Sequence, residues 1–191
     1  MIWDVSEGTI MVLTETEKKT LIDIVKKTIE CKLTGKKTPE FNIDSEVLKE
    51  KKGAFVTLKK NENLRGCIGY IEAIKPLYKT VAEMAIAAAF NDPRFPPLNP
   101  DELRDVTLEI SVLSPLKIIN DIREIEVGIH GLYITKGFHS GLLLPQVATE
   151  YKWDRLTFLE ETCNKAGLHP NAWKDKDTKI YIFSADVFKE Y

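Results

Sequence analysis

Apolar positions in the first part of the chain recur at helical spacing. Leu21, Ile24, Val25, Thr28 and Ile29 fall on one face of a helix predicted over residues 14–33. Thr14 and Glu17 stand at the separation of a capping box, and Gly35 follows the expected end. Residues 36–52 are polar and read as loop. GAFVTLKK (53–60) alternates weakly, NEN (61–63) is a turn, and LRGCIGYIE (64–72) is a second strand, so 53–72 reads as a hairpin. Pro76 opens a helix over 77–90, where Ala82, Ala85, Ala87, Ala88 and Ala89 leave a small-sided surface for close approach to a sheet.

NDPRFPPLNP (91–100) holds four prolines, which fix φ and remove donors, so it is irregular. A strand is predicted over 105–116. A second hairpin pairs Leu132–Thr135 with Gly141–Leu144 through KGFHS. A helix over 154–166 carries Leu156, Leu159, Cys163 and Ala166 on one stripe, closed by Gly167 and Leu168, and a strand over 178–188 follows. Hairpins imply antiparallel pairing. The fold class is therefore α+β, with largely antiparallel sheets and packed helices, not a doubly wound parallel sheet.

Composition narrows the function classes. The 191 residues fit one domain or two small interlocked lobes. With 27 Lys+Arg against 29 Asp+Glu the net charge is −2, which disfavours a general grip on nucleic acid and leaves room only for a local basic groove. No apolar run is long enough for a transmembrane helix, so no membrane association is expected. MIWDVSEGTIMVL lacks the pattern of a signal peptide. Cys31, Cys67 and Cys163 are distant, odd in number and never in a CxxC pair, which points to a reducing, cytoplasmic setting without a disulfide framework or zinc finger. Three scattered histidines make no metal site, and no glycine-rich strand-to-helix loop is present for a nucleotide.

Candidate chemistry gathers at NLRGCIGY (63–70). If the strand alternates regularly, Arg65 and Cys67 are same-face neighbours about 6.5–7 Å apart, and a guanidinium there would favour the thiolate. Gly66 and Gly69 leave room for something to approach the backbone. The alternative is that Cys67 is a small buried hydrophobe. His130, between two glycines in GIHGL, is either a base that forms a dyad with Cys67 or a histidine bonded to turn backbone. His139 at a hairpin tip reads as solvated, and His169 after a helix end would suit the dipole. Cys163 and Cys31 read as structural. Glu109, on the side of Thr107 and Ser111, belongs to a solvated sheet face or a cleft wall. Gln146 reads as bonded at a buried edge, and Asp92 and Arg94 as a pair bracing the proline loop.

LRGCIG (64–69), NDPRFPPL (91–98), LEISVLSPL (108–116), GIHGL (128–132) and GLLLPQVA (141–148), in that order, resemble the AMMECR domain family. The likeness covers roughly residues 10–188 as a single domain, with 1–9 as an N-terminal extension. It implies an α+β protein of two unequal interlocked lobes with the signature near a groove between them. In some prokaryotes the family is encoded or fused beside Memo-like and radical-SAM proteins, which implies a modification pathway and such a protein as partner. No reaction, small-molecule substrate or cofactor follows. The expected site is a cleft with Cys67 as nucleophile or redox thiol, Arg65 as its anion partner and His130 as base. Gly66, Gly69, Glu109, Gln146 and Arg94 would line it. The competing expectation is a non-catalytic adaptor in which the glycine-rich strand and proline loop form a docking surface.

Overall fold

A computed structural model describes residues 13–190; the extension expected over 1–9, and most of the stretch inspected for a signal peptide, lie outside them. The fold is α+β, with two four-stranded antiparallel sheets. The chain divides into two compact units. One runs to Ser111 and resumes at Asp186, and the other is Val112–Ala185.

In the first unit, helix α1 (Glu15–Leu33) starts at the expected capping box, with Thr14 and Glu17 each satisfying an amide of the other. It buries Leu21, Ile24, Val25, Thr28 and Ile29, the predicted face. A short helix, α2 (Glu46–Lys49), interrupts the stretch expected to be loop. One buried leucine, Leu48, and a Ser45 cap suffice for it, and one apolar residue leaves no periodic trace. Strands β1 (Ala54–Lys60) and β2 (Asn63–Tyr70) form the predicted hairpin. Its turn is tighter than NEN: only Asn61 and Glu62 connect the strands, both at positive φ, as a primed two-residue turn requires. Helix α3 (Leu77–Phe90) lies against β1 and β2. With strands β3 (Val106–Leu113) and β8 (Ala185–Lys189) the sheet order is β2-β1-β3-β8.

The second unit holds a sheet ordered β4-β7-β5-β6, built from β4 (Lys117–Ile119), β5 (Gly131–Lys136), β6 (His139–Leu143) and β7 (Lys179–Phe183). One face of it packs Ile119, Leu132, Ile134, Ile180 and Ile182 against Phe158, Leu159 and Cys163 of α5 (Arg155–Lys165). Gly141 is the point of closest approach, since a Cβ there would strike the backbone of Ala166. The helix ends as its sequence predicts: Gly167 has φ +71° and Leu168 N–H returns to the Cys163 carbonyl at 2.9 Å.

Three expectations change. Leu156 is 48% exposed, and Phe158 takes its place on the buried stripe. A further short helix, α4 (Pro145–Glu150), covers PQVATE. The strand expected over 178–188 is two strands in different sheets, β7 and β8, parted at Ser184; likewise Ser114–Pro115 ends β3 before β4 begins. Apolar periodicity reports that a segment is extended, not which sheet it joins.

Candidate functional site

The signature strand does not alternate regularly. Leu58 pairs with Gly66 but Lys59 pairs with Leu64, so Arg65 is the extra residue of a β-bulge. The bulge undoes the expected Arg65–Cys67 partnership. Arg65, only 8% exposed, instead forks onto Glu102, with Nε at 3.1 Å and Nη2 at 2.9 Å from its two carboxylate oxygens. Lys60 joins the same carboxylate, and the Phe95 ring lies under the guanidinium. These contacts hold Glu102 down to about 2, the Arg65 bonds contributing most. Gly66 is required by packing: a Cβ would collide with the Ala88 carbonyl of α3. Gly69 is required too, because a Cβ would enter the Phe55 ring.

Strand β2 is a sheet edge, and the proline loop closes it at Cys67. The buried Asp92 carboxylate accepts the Cys67 N–H at 2.9 Å, and Arg94 donates from Nη2 to the Cys67 carbonyl at 3.0 Å. Asp92 and Arg94 also bond each other, as the brace expected from sequence, and Arg94 together with the Cys67 amide pulls Asp92 well below the ordinary carboxylate range. The pair stands in for a neighbouring strand and protects an otherwise open edge. Since the backbone groups of Cys67 point outward, Cys67 and Thr57 form a non-hydrogen-bonded cross-strand pair, in which side chains approach most closely. Thr57 Oγ1 accordingly donates to Cys67 Sγ at 3.2 Å.

Thr57 and Lys59 alternate with the core residues Val56 and Leu58, so they project from the sheet face opposite α3. Glu109 and Ser111 alternate in the same way with Leu108 and Ile110 on β3. Glu109 is 7% exposed and pairs with Lys59 at 3.0 Å and Lys189 at 3.9 Å, so it belongs to no solvated face. Ser111 is 1% exposed, and its Oγ has no hydrogen-bond partner among the described residues. Burial pushes the Cys67 thiol up from its ordinary value. The Thr57 hydroxyl and Arg94 oppose this dominant effect, and Asp92 and Glu109 reinforce it to a lesser degree. The thiol is therefore uncharged near neutrality, contrary to the expectation of a tuned thiolate.

Among the sequence candidates, Arg65, Gly66, Cys67, Gly69, Arg94 and Glu109 fall in the first unit, and His130 and Gln146 in the second. His130 Nδ1 accepts the Glu126 N–H at 3.1 Å, the turn-bonded alternative. Gln146, the second residue of α4, has a buried Oε1 without a hydrogen-bond partner among the described residues, where a bonded role was expected. His169 caps the following turn, accepting the Asn171 N–H at 3.2 Å. His139 lies 3.2 Å from the Ala166 carbonyl. Among the described residues no three His, Cys, Asp or Glu side chains converge as metal ligands, and no helix is long and apolar enough to cross a membrane. Sequence reasoning did not single out Thr57, Lys59 or Glu102. Strand alternation from the core residues Val56 and Leu58 marks the first two; the spacing from Asn99 marks Glu102 as its capping-box partner, but nothing local marks its pairing with Arg65, 37 residues away.

The AMMECR1 family model matches residues 22–188. The chain belongs to the AMMECR1 family. A protein of Methanothermobacter thermautotrophicus is 46% identical over 93% of this chain and 96% of its own. Protein MK0488 of Methanopyrus kandleri is 45% identical over 93% of this chain and 90% of its own. The crystal structure of protein PH0010 from Pyrococcus horikoshii superposes with a TM-score of 0.88 at 42% identity, covering 93% of each chain. LRGCIG (64–69) thus sits on a bulged edge strand, with Arg65 ion-paired and Gly66 and Gly69 packed too closely to carry a Cβ.

Proposed function

We propose that this AMMECR1 protein binds a small polar ligand over the sheet face that carries Cys67, Thr57, Lys59, Glu109 and Ser111, as an enzyme or enzyme subunit in a modification pathway. Cys67 acts there as an uncharged thiol that contacts the ligand, not as a resting thiolate. The observation that carries the reading is the Ser111 hydroxyl, buried and without a described partner beside the buried Glu109 carboxylate and its half-buried partner Lys59. An unsatisfied buried hydroxyl is costly and is normally answered by a ligand or an ordered water. Its neighbours can offer a donor (Lys59), an acceptor (Glu109) and a soft sulfur (Cys67) to one molecule. The family association points to a Memo-like or radical-SAM protein as the partner that shares the pathway.

Native mass spectrometry of protein purified directly from cell extract tests the reading. A retained small molecule is expected in the unaltered protein and is lost in Ser111→Ala and Glu109→Gln. Retention unchanged in both folded variants overturns the assignment. A second reading, the non-catalytic adaptor with a structural Cys67, is favoured by one observation. The backbone of Cys67 and the side chains of Arg65, Asp92 and Arg94 are all spent on holding the proline loop to β2. On that reading Arg94→Ala abolishes partner capture, while Ser111→Ala has no effect on either partner or ligand.

A further inference from the structure

The second sheet carries a feature that the Cys67 face does not explain and with which it shares no residue. On the face opposite α5, Ile118 pairs with Tyr181, Tyr181 with Tyr133, and Tyr133 with Leu142. These four side chains make one row across all four strands, β4-β7-β5-β6. Strand neighbours are about 4.8 Å apart, so the row is roughly 14–15 Å long. The face of a sheet that turns away from its core normally alternates to polar residues. Here Ile118 is 51% exposed and both tyrosines are partly exposed. Their ring centroids are 5.8 Å apart with the planes tilted by 37°, which presents two aromatic surfaces side by side. At one end Phe183 lies over Gly131, the position where a Cβ would strike its ring.

The adjoining row at the other end is polar: Lys179 pairs with Thr135, and Thr135 with Ser140. It stands about 6.5–7 Å from the tyrosines, two residues along each strand. Lys179 is exposed, and the acids nearest to it in sequence, Asp175 and Asp177, are taken by Lys136 at 2.6 Å and 3.4 Å. No carboxylate among the described residues stands within ion-pair distance of it. An aromatic pair flanked at that distance by one uncommitted ammonium and two hydroxyls complements a planar ring joined to a single anionic group.

We propose that this face binds a free nucleoside monophosphate. The base stacks on Tyr133 and Tyr181 between Ile118 and Leu142, and the phosphate meets Lys179 with Thr135 and Ser140. Stacking on aromatic side chains of a sheet is a general way to hold a base. One lysine matches one phosphate. A polynucleotide strand would need a run of cations, and the chain carries a net charge of −2.

Isothermal titration of the full chain with adenosine monophosphate, adenosine and ribose 5-phosphate tests the proposal. The monophosphate is expected to bind at least tenfold more tightly than either fragment. Lys179→Gln, an exposed and conservative change, should bring it down to the level of adenosine. Tyr181→Ser should weaken it at least tenfold, while Tyr181→Phe keeps the ring and the affinity. Should Tyr181→Ser fail to fold, Lys179→Gln and Tyr181→Phe still decide. Three results overturn the proposal: no heat with the monophosphate at millimolar concentration, equal affinity in the Lys179→Gln variant, or a single-stranded oligonucleotide binding more tightly than the mononucleotide.

Discussion

The signature strand and the tyrosine row show opposite uses of a sheet. On β2 the conspicuous residues are committed: Arg65 to Glu102, the Cys67 backbone to Asp92 and Arg94, and Gly66 to the backbone of α3. On the second sheet Tyr133, Tyr181 and Lys179 are unremarkable in sequence, yet they stand exposed or partly exposed beside one another. A motif of charged, thiol and glycine residues invites a catalytic reading. Availability, not residue type, decides what such a group can do. The other polar side chains on the Cys67 face come from the neighbouring strands β1 and β3, and LRGCIG itself adds only the Cys67 thiol.

The sharpest way to break this contrast is at Gly66. Gly66→Ala drives a methyl group into the Ala88 backbone carbonyl, a clash that no side-chain rotation relieves. A loss of at least about 3 kcal/mol is expected, a fall of roughly 6–12 °C in melting temperature by calorimetry. Tyr181→Phe on the other sheet should stay within about 0.5 kcal/mol. Glu102→Gln comes next. It strips the counter-charge from an arginine that is 8% exposed and should cost about 2–3 kcal/mol in urea denaturation. Were Gly66→Ala and Glu102→Gln as harmless as the tyrosine change, the commitment of β2 to packing and ion pairing would be disproved.

Much of this was legible in sequence, and the exceptions share a cause. The capping box at Thr14, the Gly167 cap, both hairpins and the Asp92–Arg94 brace depend on residues close in the chain, and they appear where expected. The bulge at Arg65 does not announce itself, because it is settled by the register against β1 and by a carboxylate 37 residues on. With the bulge went the premise that Arg65 and Cys67 share a face. The Cys67 thiol follows from the same surroundings: the Arg65 guanidinium is turned to Glu102, and burial pushes the thiol up. In sequence Ser111 stands out only as a same-face neighbour of Glu109, since a buried hydroxyl lacking a described partner is a property of the folded surroundings alone.

Acid separates the two regions without mutation. Glu102 is held down to about 2, and Asp92 lies well below the ordinary carboxylate range of about 4. Both carboxylates are depressed on folding. Their contribution is complete above about pH 4.5 and is lost as pH falls toward 2. Urea midpoints taken from pH 5 down to 2.5 should therefore drop steeply in the unaltered protein and less steeply in Glu102→Gln. Lys179→Gln, on the other sheet, should leave the slope as it is. A slope equal in all three proteins would remove the ion pairs of β2 from the account of acid stability.

The smallest effect is the most informative about the thiol. Thr57→Val keeps the volume near Cys67 but deletes the Thr57 hydrogen bond to its sulfur, at a stability cost of about 1 kcal/mol or less. Burial already disfavours the thiolate, and the hydroxyl partly offsets that. Its removal should therefore push the pKa further up, not down. Iodoacetamide labelling of the native protein, mapped by mass spectrometry, should show Cys67 reacting slowly at pH 7.5. The rate should climb only above the ordinary thiol value of about 8.5, with the curve of Thr57→Val displaced to still higher pH. A Cys67 that labels rapidly at neutral pH would mean that the sulfur is served by a cation after all. The signature would then hold a nucleophile, and the contrast between a committed strand and an available one would fail at its centre.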